Sequence, residues 1–346
     1  MAGPVTLSQV AREAGVSLAT ASRAFNGSAN RTVRPELRER VMAAAEKLRY
    51  MPNANAQAMA RGHGNSVGLV VHDIADPYFS SIAAGVSLAA DRAGLAVTLA
   101  STQHDAVREP GLIELLTRQR ARAIIVVGGR RDDEEANKTM RRALEDFRRS
   151  GGTASMIGQP LLGVDTVAIG NHDGAAKLAR ALYGIGYRRF AVLAGPEDHL
   201  TARDRLVGFG EALRELDAAP VRGAVVYSDF TRDGGYDGMK ELLSRHLDVE
   251  VVFAVNDVMA VGSMAAARDA GMRVPEEIAV AGFDDIFALR DITPALTTVQ
   301  VPLVEVGVTA TELALAPSVA EPRVVDVECT VVLRESTPPR RVNLPA

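Results

Sequence analysis

Two pairs of neighbouring polar residues, Asn256-Asp257 and Asp284-Asp285, are the first candidates for chemistry in this chain. Adjacent acids can split their pKa values and serve as acid and base. Neighbouring residues usually point apart, however, and the sequence holds no Gly-x-Ser-x-Gly elbow, Walker loop, His-Glu-x-x-His pair or cysteine cluster. The six histidines lack metal-ligand spacing. The sequence therefore favours binding over catalysis and predicts no metal or other cofactor.

Polar residues also stand directly after several short apolar runs. His72 and Asp73 follow VGLVV, Arg130 follows AIIVVGG, Asn256 follows VVFAV and Asp284 follows IAVAGF. Ligands of parallel sheets bind outside the carboxyl ends of the strands, so these positions are candidates for a ligand site. The same holds for Gln103, Asn171, Gly195, Pro196, Phe230, Asp257 and Asp285.

The elements that must position these residues are alternating strands and helices. From Ser66 onward, short valine-rich runs alternate with longer helical patterns, first from VGLVVHD to TASMIG and then from DTVAIG to IAVAGF. Such alternation predicts parallel sheets covered by helices on both faces. The two series predict two α/β lobes.

Length and composition predict a soluble protein of several domains. The chain has 346 residues, 47% of them hydrophobic, which exceeds one compact domain. It has no apolar run of membrane-spanning length, and MAGPVTLSQV lacks the pattern of a secretory signal. The single cysteine, Cys329, has no partner for an internal disulfide and is expected to be a small buried hydrophobe. We expect a cytoplasmic protein with no membrane partner.

Charge is divided unevenly along the chain. Residues 1–62 hold nine Lys/Arg and four Glu, a net charge of +5, while the whole chain has a net charge of −4. The remaining residues therefore have a net charge of −9. A small basic head on an acidic body predicts that only the head contacts a polyanion.

The head has the pattern of a helix-turn-helix. Thr6 and Gln9 fit a capping box that begins one helix, Gly15 ends it, and Ser17 caps a second helix that stops at Gly27. Two helices joined by so short a turn, with a third helix from Pro35, match this motif. The alternative is a small helical bundle used for protein contacts.

The stretches TLSQVAREAGVSLATASRAFNG and RERVMAAAEKLRYMPNANAQAMARG closely resemble the DNA-binding head of the lactose/galactose repressor (LacI/GalR) family. The resemblance implies that Leu18, Ala19 and Arg23 read bases in the major groove. Because Leu18 and Ala19 have no polar side chain, we expect methyl contacts with thymine there and a guanine contact from Arg23. The remaining DNA contacts implied for the head are Thr6, Ser17, Thr20, Ser22 and Asn26.

The segment PNANAQAMAR, which begins at Pro52, is too short to form a stable isolated helix. The family folds its equivalent on DNA and inserts an apolar side chain into the minor groove, a role that falls here on Met59. Asn53 and Ala56 complete the implied DNA contacts of this hinge. The alternative is a plain flexible linker.

The body resembles the effector-binding core of the same family in DPYFSSIAAGV, LAGPEDHLTARDRLVGF, FAVNDVMAVGSM, VAGFDDI and TPALTTVQVP. The resemblance places the ligand between the lobes, with Arg205, Asn256 and Asp284 on its hydroxyl groups and Phe230 stacked on it. That set suits a sugar. The other implied effector contacts are His72, Asp73, Phe79, Arg130 and His199.

Alternatives stay open at several of these residues. Arg205 and Asp284 also fit a structural ion pair, Phe79 and Phe230 fit core positions, and His72 fits a hydrogen-bonded residue at a strand end. His199 stands where purine-binding relatives have an arginine, which favours a small sugar or sugar derivative over a purine. The alternative effector is a nucleoside, a purine or a sugar phosphate.

Together these features predict a small all-α helix-turn-helix domain followed by an α/β core of two Rossmann-like lobes of the type I periplasmic-binding-protein kind. The predicted domains are a DNA-binding head (1–51), a hinge (52–65) and an effector core (66–346). We expect lobe boundaries near 66–163 and 295–322 for the N-lobe, and near 164–291 and 323–340 for the C-lobe. The predicted function is a homodimeric transcriptional regulator, a repressor of carbohydrate genes, on a pseudo-palindromic operator. The alternative class is a sugar-binding protein or sugar-processing enzyme without DNA function.

Overall fold

The computed structural model describes residues 5–26, 33–51, 64–103 and 105–340. Its first part is a head of three helices: α1 (Leu7–Glu13), α2 (Leu18–Asn26) and α3 (Pro35–Lys47). Val10, Ala21 and Val41, one from each helix, are fully buried and form the centre of its core. Alanines pack around them because three such short helices leave space only for small side chains between them.

The helix ends of the head form as their sequence signals predict. The side chain of Gln9 accepts a hydrogen bond from the backbone N–H of Thr6 at 2.7 Å, which closes the start of α1. Ser17 Oγ accepts from the N–H of Thr20 at 3.1 Å and caps α2. Gly15 has a φ of 61°, the left-handed conformation that turns the chain between the two helices. The helix-turn-helix prediction is therefore confirmed.

The N-lobe is a six-stranded parallel sheet with the strand order β11-β5-β4-β3-β1-β2. Its strands are β1 (Ser66–Val71), β2 (Ala96–Ser101), β3 (Ala123–Val127), β4 (Thr153–Ile157), β5 (Asp165–Ile169) and β11 (Val324–Val327). The helices that cover it are α4 (Pro77–Arg92), α5 (Glu109–Arg118), α6 (Glu134–Arg149) and α11 (Leu303–Leu315). β3 is apolar and buried along its whole length, and β1 is so after Ser66, because helices pack on both faces of the sheet.

The C-lobe is a four-stranded parallel sheet with the strand order β7-β6-β8-β9. Its strands are β6 (Phe190–Ala194), β7 (Pro220–Tyr227), β8 (Val251–Ala254) and β9 (Ala279–Ala281). Its helices are α7 (Asn171–Gly184), α8 (Leu200–Glu215), α9 (Arg232–Ser244) and α10 (Asp257–Asp269). An antiparallel pair, β10 (Thr298–Gln300) and β12 (Thr330–Val332), completes the strands of the described residues.

The lobe boundaries differ from the predicted ones. The strands β5 and β11 pair in the N-lobe sheet, although the boundaries near 164 and 323 assign them to the C-lobe. Conversely, β10 lies beside the C-lobe, since the N–H of Gly282 and of Asp284 donate to the carbonyls of Thr297 and Val299. The chain therefore crosses between the lobes after Ile169, after Val301 and after Val327. The two predicted lobes are present, and their boundaries are shifted.

None of the helices in the described part of the chain is both long enough and apolar enough to cross a membrane.

Candidate functional site

The surface predicted to read DNA is the outer side of α2 and the turn before it. Leu18 is 52% exposed, Ala19 and Ser17 are exposed as well, and the other face of the helix buries Ala21 and Ala24. The Nε of Arg23 donates to the carbonyl of Ala19 at 3.0 Å, so the guanidinium lies along this surface. An exposed leucine with no packing role on a basic head is the feature that a groove contact explains.

The rest of the predicted DNA contacts divide into two groups. Thr6, Thr20 and Ser22 lie at or near the surface of the head, and Thr20 Oγ1 also hydrogen-bonds Ser17 Oγ at 2.8 Å. The side chain of Asn26, together with Asn53, Ala56 and Met59, lies outside the described residues. The structure does not show DNA contacts for any of these residues, so the contacts of the head and of the hinge stay predictions.

A cavity of about 390 Å³ lies between the two lobes, at the carboxyl ends of their strands. Its wall on the C-lobe side includes Arg205, a residue of α8 that is 1% exposed. The guanidinium donates to Asn171 Oδ1, to the carbonyl of Val255 and to Asp284 Oδ1, each at 2.8 Å. It also lies 3.7 Å from the centroid of the Phe283 ring. Arg205 thus belongs to the structure of the C-lobe as well as to the wall of the cavity.

Asp284 occupies a strained position that gives its carboxylate access to the cavity. Its φ of 124° is unusual for a residue with a side chain, and Asp285 beside it has a φ of 55°. Burial, opposed by Arg205, raises the pKa of Asp284 to about 7. Burial likewise raises the pKa of Asp257 to about 6, and this carboxylate accepts from Thr298 Oγ1 and from the N–H of Ile286. The two acids have different hydrogen-bond partners, Arg205 for Asp284 and Thr298 and Ile286 for Asp257.

Aromatic side chains line the cavity from both lobes. His199 and Phe230 of the C-lobe stack with ring centroids 4.6 Å apart and an angle of 22°. Phe79 of the N-lobe is 6% exposed and meets Tyr78 edge-on. Burial lowers the pKa of His199 to about 3, and its Nδ1 accepts from the N–H of Ala202 at 3.3 Å. His199 is therefore a neutral stacking partner at the start of α8.

A third group of polar side chains lies at the ends of the N-lobe strands. Arg130 Nη1 donates to Glu109 Oε2 at 2.8 Å, and Arg130 Nε donates to Asn137 Oδ1 at 3.0 Å. All three residues are buried. Burial opposes the ionisation of Glu109, but His72 and Arg130 beside it lower its pKa. Gly128 makes room for the His72 ring, which a Cβ at that position would approach to 2.5 Å.

The structure brings most of the predicted effector residues together. The cavity is lined by His72, Phe79, Arg130, His199, Arg205, Phe230, Asn256 and Asp284. Asp73 is the exception, since it does not line the cavity and its Oδ1 accepts from the N–H of Ala75 at 2.9 Å. Asn256 Oδ1 caps α10 by accepting from Met259, which leaves its amide nitrogen for a ligand or for the carbonyl of Phe230 at 3.5 Å.

Sequence reasoning missed several residues of the cavity wall. They include Asp76, Tyr78, Thr102, Glu109, Asn137, Thr201, Asp229 and Thr231. The stretch DPYF, which begins at Asp76 in the loop after β1, is a sequence signal for the first two. Glu109 lies eight positions beyond the end of β2, and its burial depends on Arg130 from another strand. Its place in the site is a product of the tertiary fold.

A basic helix-turn-helix head followed by a two-lobed α/β core with a polar cleft defines a class of protein, the DNA-binding regulator controlled by a small molecule. Residues 6–53 match the family described as bacterial regulatory proteins, lacI family, and residues 179–337 match a periplasmic binding protein-like domain. The chain is 36% identical over 340 residues to the HTH-type transcriptional regulator GalS of Salmonella typhimurium, with 96% of each chain covered.

Two solved structures agree. The lac repressor dimer bound to operator and the anti-inducer ONPF matches with a TM-score of 0.81 at 26% identity, covering 97% of this chain and 100% of that chain. The CelR–cellobiose complex matches with a TM-score of 0.69 at 30% identity, covering 96% and 99%. The chain belongs to the lacI family of bacterial regulatory proteins. It is a helix-turn-helix transcriptional regulator with a ligand-binding core, and the prediction of a regulator in place of an enzyme is confirmed.

Proposed function

We propose that this regulator is a cytoplasmic homodimeric repressor of carbohydrate genes and that its effector is a small uncharged sugar bound in the cleft between the lobes. The observation that carries the proposal is the combination of walls around the cavity. Stacked rings of His199 and Phe230 face a cavity whose other walls are amide, carboxylate and guanidinium groups. A sugar needs both the aromatic rings and the polar groups, since its hydroxyl groups bind the polar side chains and its C–H face lies on a ring.

The charges of the cavity wall favour a neutral ligand over a sugar phosphate. Three arginines line it among the described residues, and each is already paired with a carboxylate. Arg130 pairs with Glu109, Arg131 with Asp198 and Arg205 with Asp284. A phosphate would need a cation of its own and would also meet the neighbouring acids of the wall, which are Asp76, Glu109, Asp133, Asp229 and Asp284.

Control of DNA binding follows from the position of the cleft in the chain. The chain crosses between the lobes three times, so closing the cleft on a ligand shifts the N-lobe, from which the hinge leads to the head. A hinge that is marginally stable by itself responds to a small displacement. A coupling of about 1–3 kcal/mol between the two sites is sufficient for regulation.

The test combines ligand binding and DNA binding on the intact dimer. A thermal-shift screen of uncharged sugars, nucleosides and sugar phosphates should give stabilisation by a sugar. Fluorescence anisotropy on a duplex selected from a random library should then show that the same sugar changes DNA affinity. The variant Arg23→Ala should bind the sugar normally and lose about 1–3 kcal/mol of preference for the selected duplex. Stabilisation by phosphates or nucleosides alone would contradict the proposed effector class.

A further inference from the structure

The ends of three adjacent N-lobe strands carry a continuous set of polar side chains, of which His72 and Arg130 are already expected to contact the effector. Thr102 follows β2, His72 follows β1, and Arg130 follows β3, with Glu109 and Asn137 packed against them. The N–H of Thr102 donates to the carbonyl of Val71, so it lies next to His72 in the extended strand pairing. We call Thr102, His72, Glu109, Arg130 and Asn137 the N-lobe polar row; all five line the cavity.

Two buried polar atoms of this row have no hydrogen-bond partner among the described residues. They are Thr102 Oγ1 and Glu109 Oε1. Thr102 is 0% exposed and Glu109 is 1% exposed. The second oxygen of Glu109 takes the bond from Arg130, while Oε1 lies 3.6 Å from His72 Nε2, beyond a normal hydrogen bond.

An unsatisfied buried oxygen costs free energy, and more so when it belongs to a carboxylate. Among the described residues, one other buried side-chain atom has no hydrogen-bond partner, and it is Ser228 Oγ. Ser228 does not line the cavity. The concentration of such atoms at one wall of the cavity is the signature of a site that a ligand completes.

Resting on the proposed sugar-binding function, we propose that the N-lobe polar row is a second polar subsite of the cleft that holds two neighbouring hydroxyl groups of the effector. One hydroxyl donates to Glu109 Oε1. The other hydroxyl bonds Thr102 Oγ1, which can both donate and accept. The effector is thus held from both lobes, by Arg205 and Asp284 on one side and by this row on the other, and its binding favours the closed cleft.

The chemistry of the N-lobe polar row favours neutral hydroxyl groups over ammonium, phosphate or carboxylate groups. Arg130 already neutralises the charge of Glu109 at 2.8 Å, so an ammonium group here would add an unbalanced positive charge beside the guanidinium. A phosphate or carboxylate would place its oxygens against Glu109 Oε1, which can only accept. A pair of hydroxyl groups on adjacent carbons satisfies both open oxygens without adding charge.

Thr102→Val is the decisive variant, because it keeps the shape of the side chain and removes only the hydroxyl. Since that hydroxyl has no partner to lose, the ligand-free variant should have an unchanged or higher Tm than the parent protein. Its affinity for the sugar that stabilises the parent protein in the screen should fall about tenfold by calorimetry. A residue with a purely structural role would change Tm and leave the affinity unaltered.

Ser228→Ala is the matched control, since it also removes a buried hydroxyl without a partner but lies outside the cavity. It should match Thr102→Val in Tm and keep the full affinity for the sugar. Monodeoxy analogues of the same sugar supply a second readout. One of these analogues should bind the parent protein more weakly than the full sugar does. Thr102→Val should bind this analogue and the full sugar with nearly the same affinity, because the variant and the analogue remove the same bond.

Three results separate the possibilities. If the parent protein binds a sugar and Thr102→Val binds it with the same affinity, the subsite is wrong and the proposed function stands. If Thr102→Val lowers both Tm and affinity while Ser228→Ala lowers neither, the hydroxyl supports the fold and the subsite is again wrong. If the parent protein binds no sugar at all, the proposed function fails and the subsite fails with it.

Discussion

Arg205 shows how binding and stability meet in a single residue of this protein. Its guanidinium lies in the wall of the cavity, yet three of its hydrogen bonds hold together α7, the end of β8 and the strained segment at Asp284. The two interpretations of Arg205 and Asp284, ligand contact and structural ion pair, are therefore compatible.

Replacing Arg205 should cost stability as well as ligand binding. Arg205→Ala breaks a buried ion pair and leaves Asn171 Oδ1, the carbonyl of Val255 and Asp284 Oδ1 without their shared donor, so we expect the free energy of unfolding to fall by about 3–5 kcal/mol. Urea denaturation followed by circular dichroism measures this. Arg203→Ala is the control, because Arg203 pairs with Asp132 at the surface, and its loss should cost at most about 1 kcal/mol. Equal losses in the two variants would contradict a structural role for Arg205.

His199 should make the stability of the folded protein depend on pH in a definite direction. Burial lowers its pKa to about 3, whereas the unfolded chain binds the proton near the ordinary value. Unfolding therefore takes up a proton between these two values, and stability falls as the pH drops below about 6.5. Asp284 and Asp257 have raised pKa values and act in the opposite sense over the range from about pH 4 to 7.

Comparison with His199→Asn isolates that contribution, since asparagine keeps the capping acceptor at the start of α8 and does not titrate. Between pH 6.5 and 4.5 the parent protein should lose about 2–3 kcal/mol more unfolding free energy than the variant. Denaturant titrations at a series of pH values give the two slopes. Parallel slopes would mean that His199 binds its proton equally well in the folded state.

Whether a residue of the site could be predicted from the sequence depends on whether local sequence or contacts with distant segments place it there. His72, Asn256 and Asp284 lie one, two and three positions beyond the end of a strand, so local pattern places them at the right edge of a sheet. Asp73 has the same pattern, but successive residues point to opposite sides, and its carboxylate caps the turn instead. Glu109 has no local signal, because only the tertiary pairing with Arg130 makes it part of the cavity wall.

At the scale of elements, the alternation of strands and helices predicts two parallel sheets and leaves open which strand joins which sheet. DTVAIG begins the second series in sequence, but β5 continues the N-lobe sheet by pairing with β4. Its apolar pattern is the same in either sheet, and only the pairing partner differs. The crossing points are therefore set by packing between distant segments, such as β11 beside β5.

Two loops join the lobes at the mouth of the cleft. The segment after β3 and the segment before α8 pair through the N–H of Leu200 and the carbonyl of Arg130 at 2.9 Å. Gly129 permits this approach, because a Cβ there would come within 2.3 Å of Thr201 Oγ1. Ion pairs reinforce the contact at 2.7 Å, Arg131 with Asp198 and Arg203 with Asp132.

These loops should act as a weak electrostatic latch on the closed cleft. Asp198→Asn keeps the size of the side chain and removes its charge, so the affinity for the sugar should fall about two- to fivefold, in keeping with an exposed pair. The loss should shrink as salt is raised, because salt already screens this pair in the parent protein. Calorimetry at low and high salt measures both effects. Glu215→Gln, which breaks the exposed pair with Arg180 away from the cavity, should alter neither value.

At the scale of the whole molecule, the distribution of charge separates DNA binding by the head from ligand binding by the core. The basic head carries a net charge of +5 over residues 1–62 on a body of the opposite sign, which directs the polyanion to one end of the chain. The three small helices of the head bury a core of mostly alanines and valines, and this leaves Leu18 and Ala19 exposed to enter a groove. A single head of this size makes few contacts, so the proposed dimer gains its specificity by joining two heads.

The proposed dimer makes a prediction about DNA geometry. Two heads related by a twofold axis read half-sites about one helical turn apart on one face of the duplex. Inserting five base pairs between the half-sites rotates one of them to the opposite face, so binding should fall to that of a single half-site. Mutating one half-site without the insertion should give the same affinity, and anisotropy titrations at fixed salt compare the three duplexes. If the insertion leaves the affinity unchanged, the two heads bind DNA independently of each other. A ligand that moves one lobe against the other could then not control DNA binding by changing the spacing of the heads.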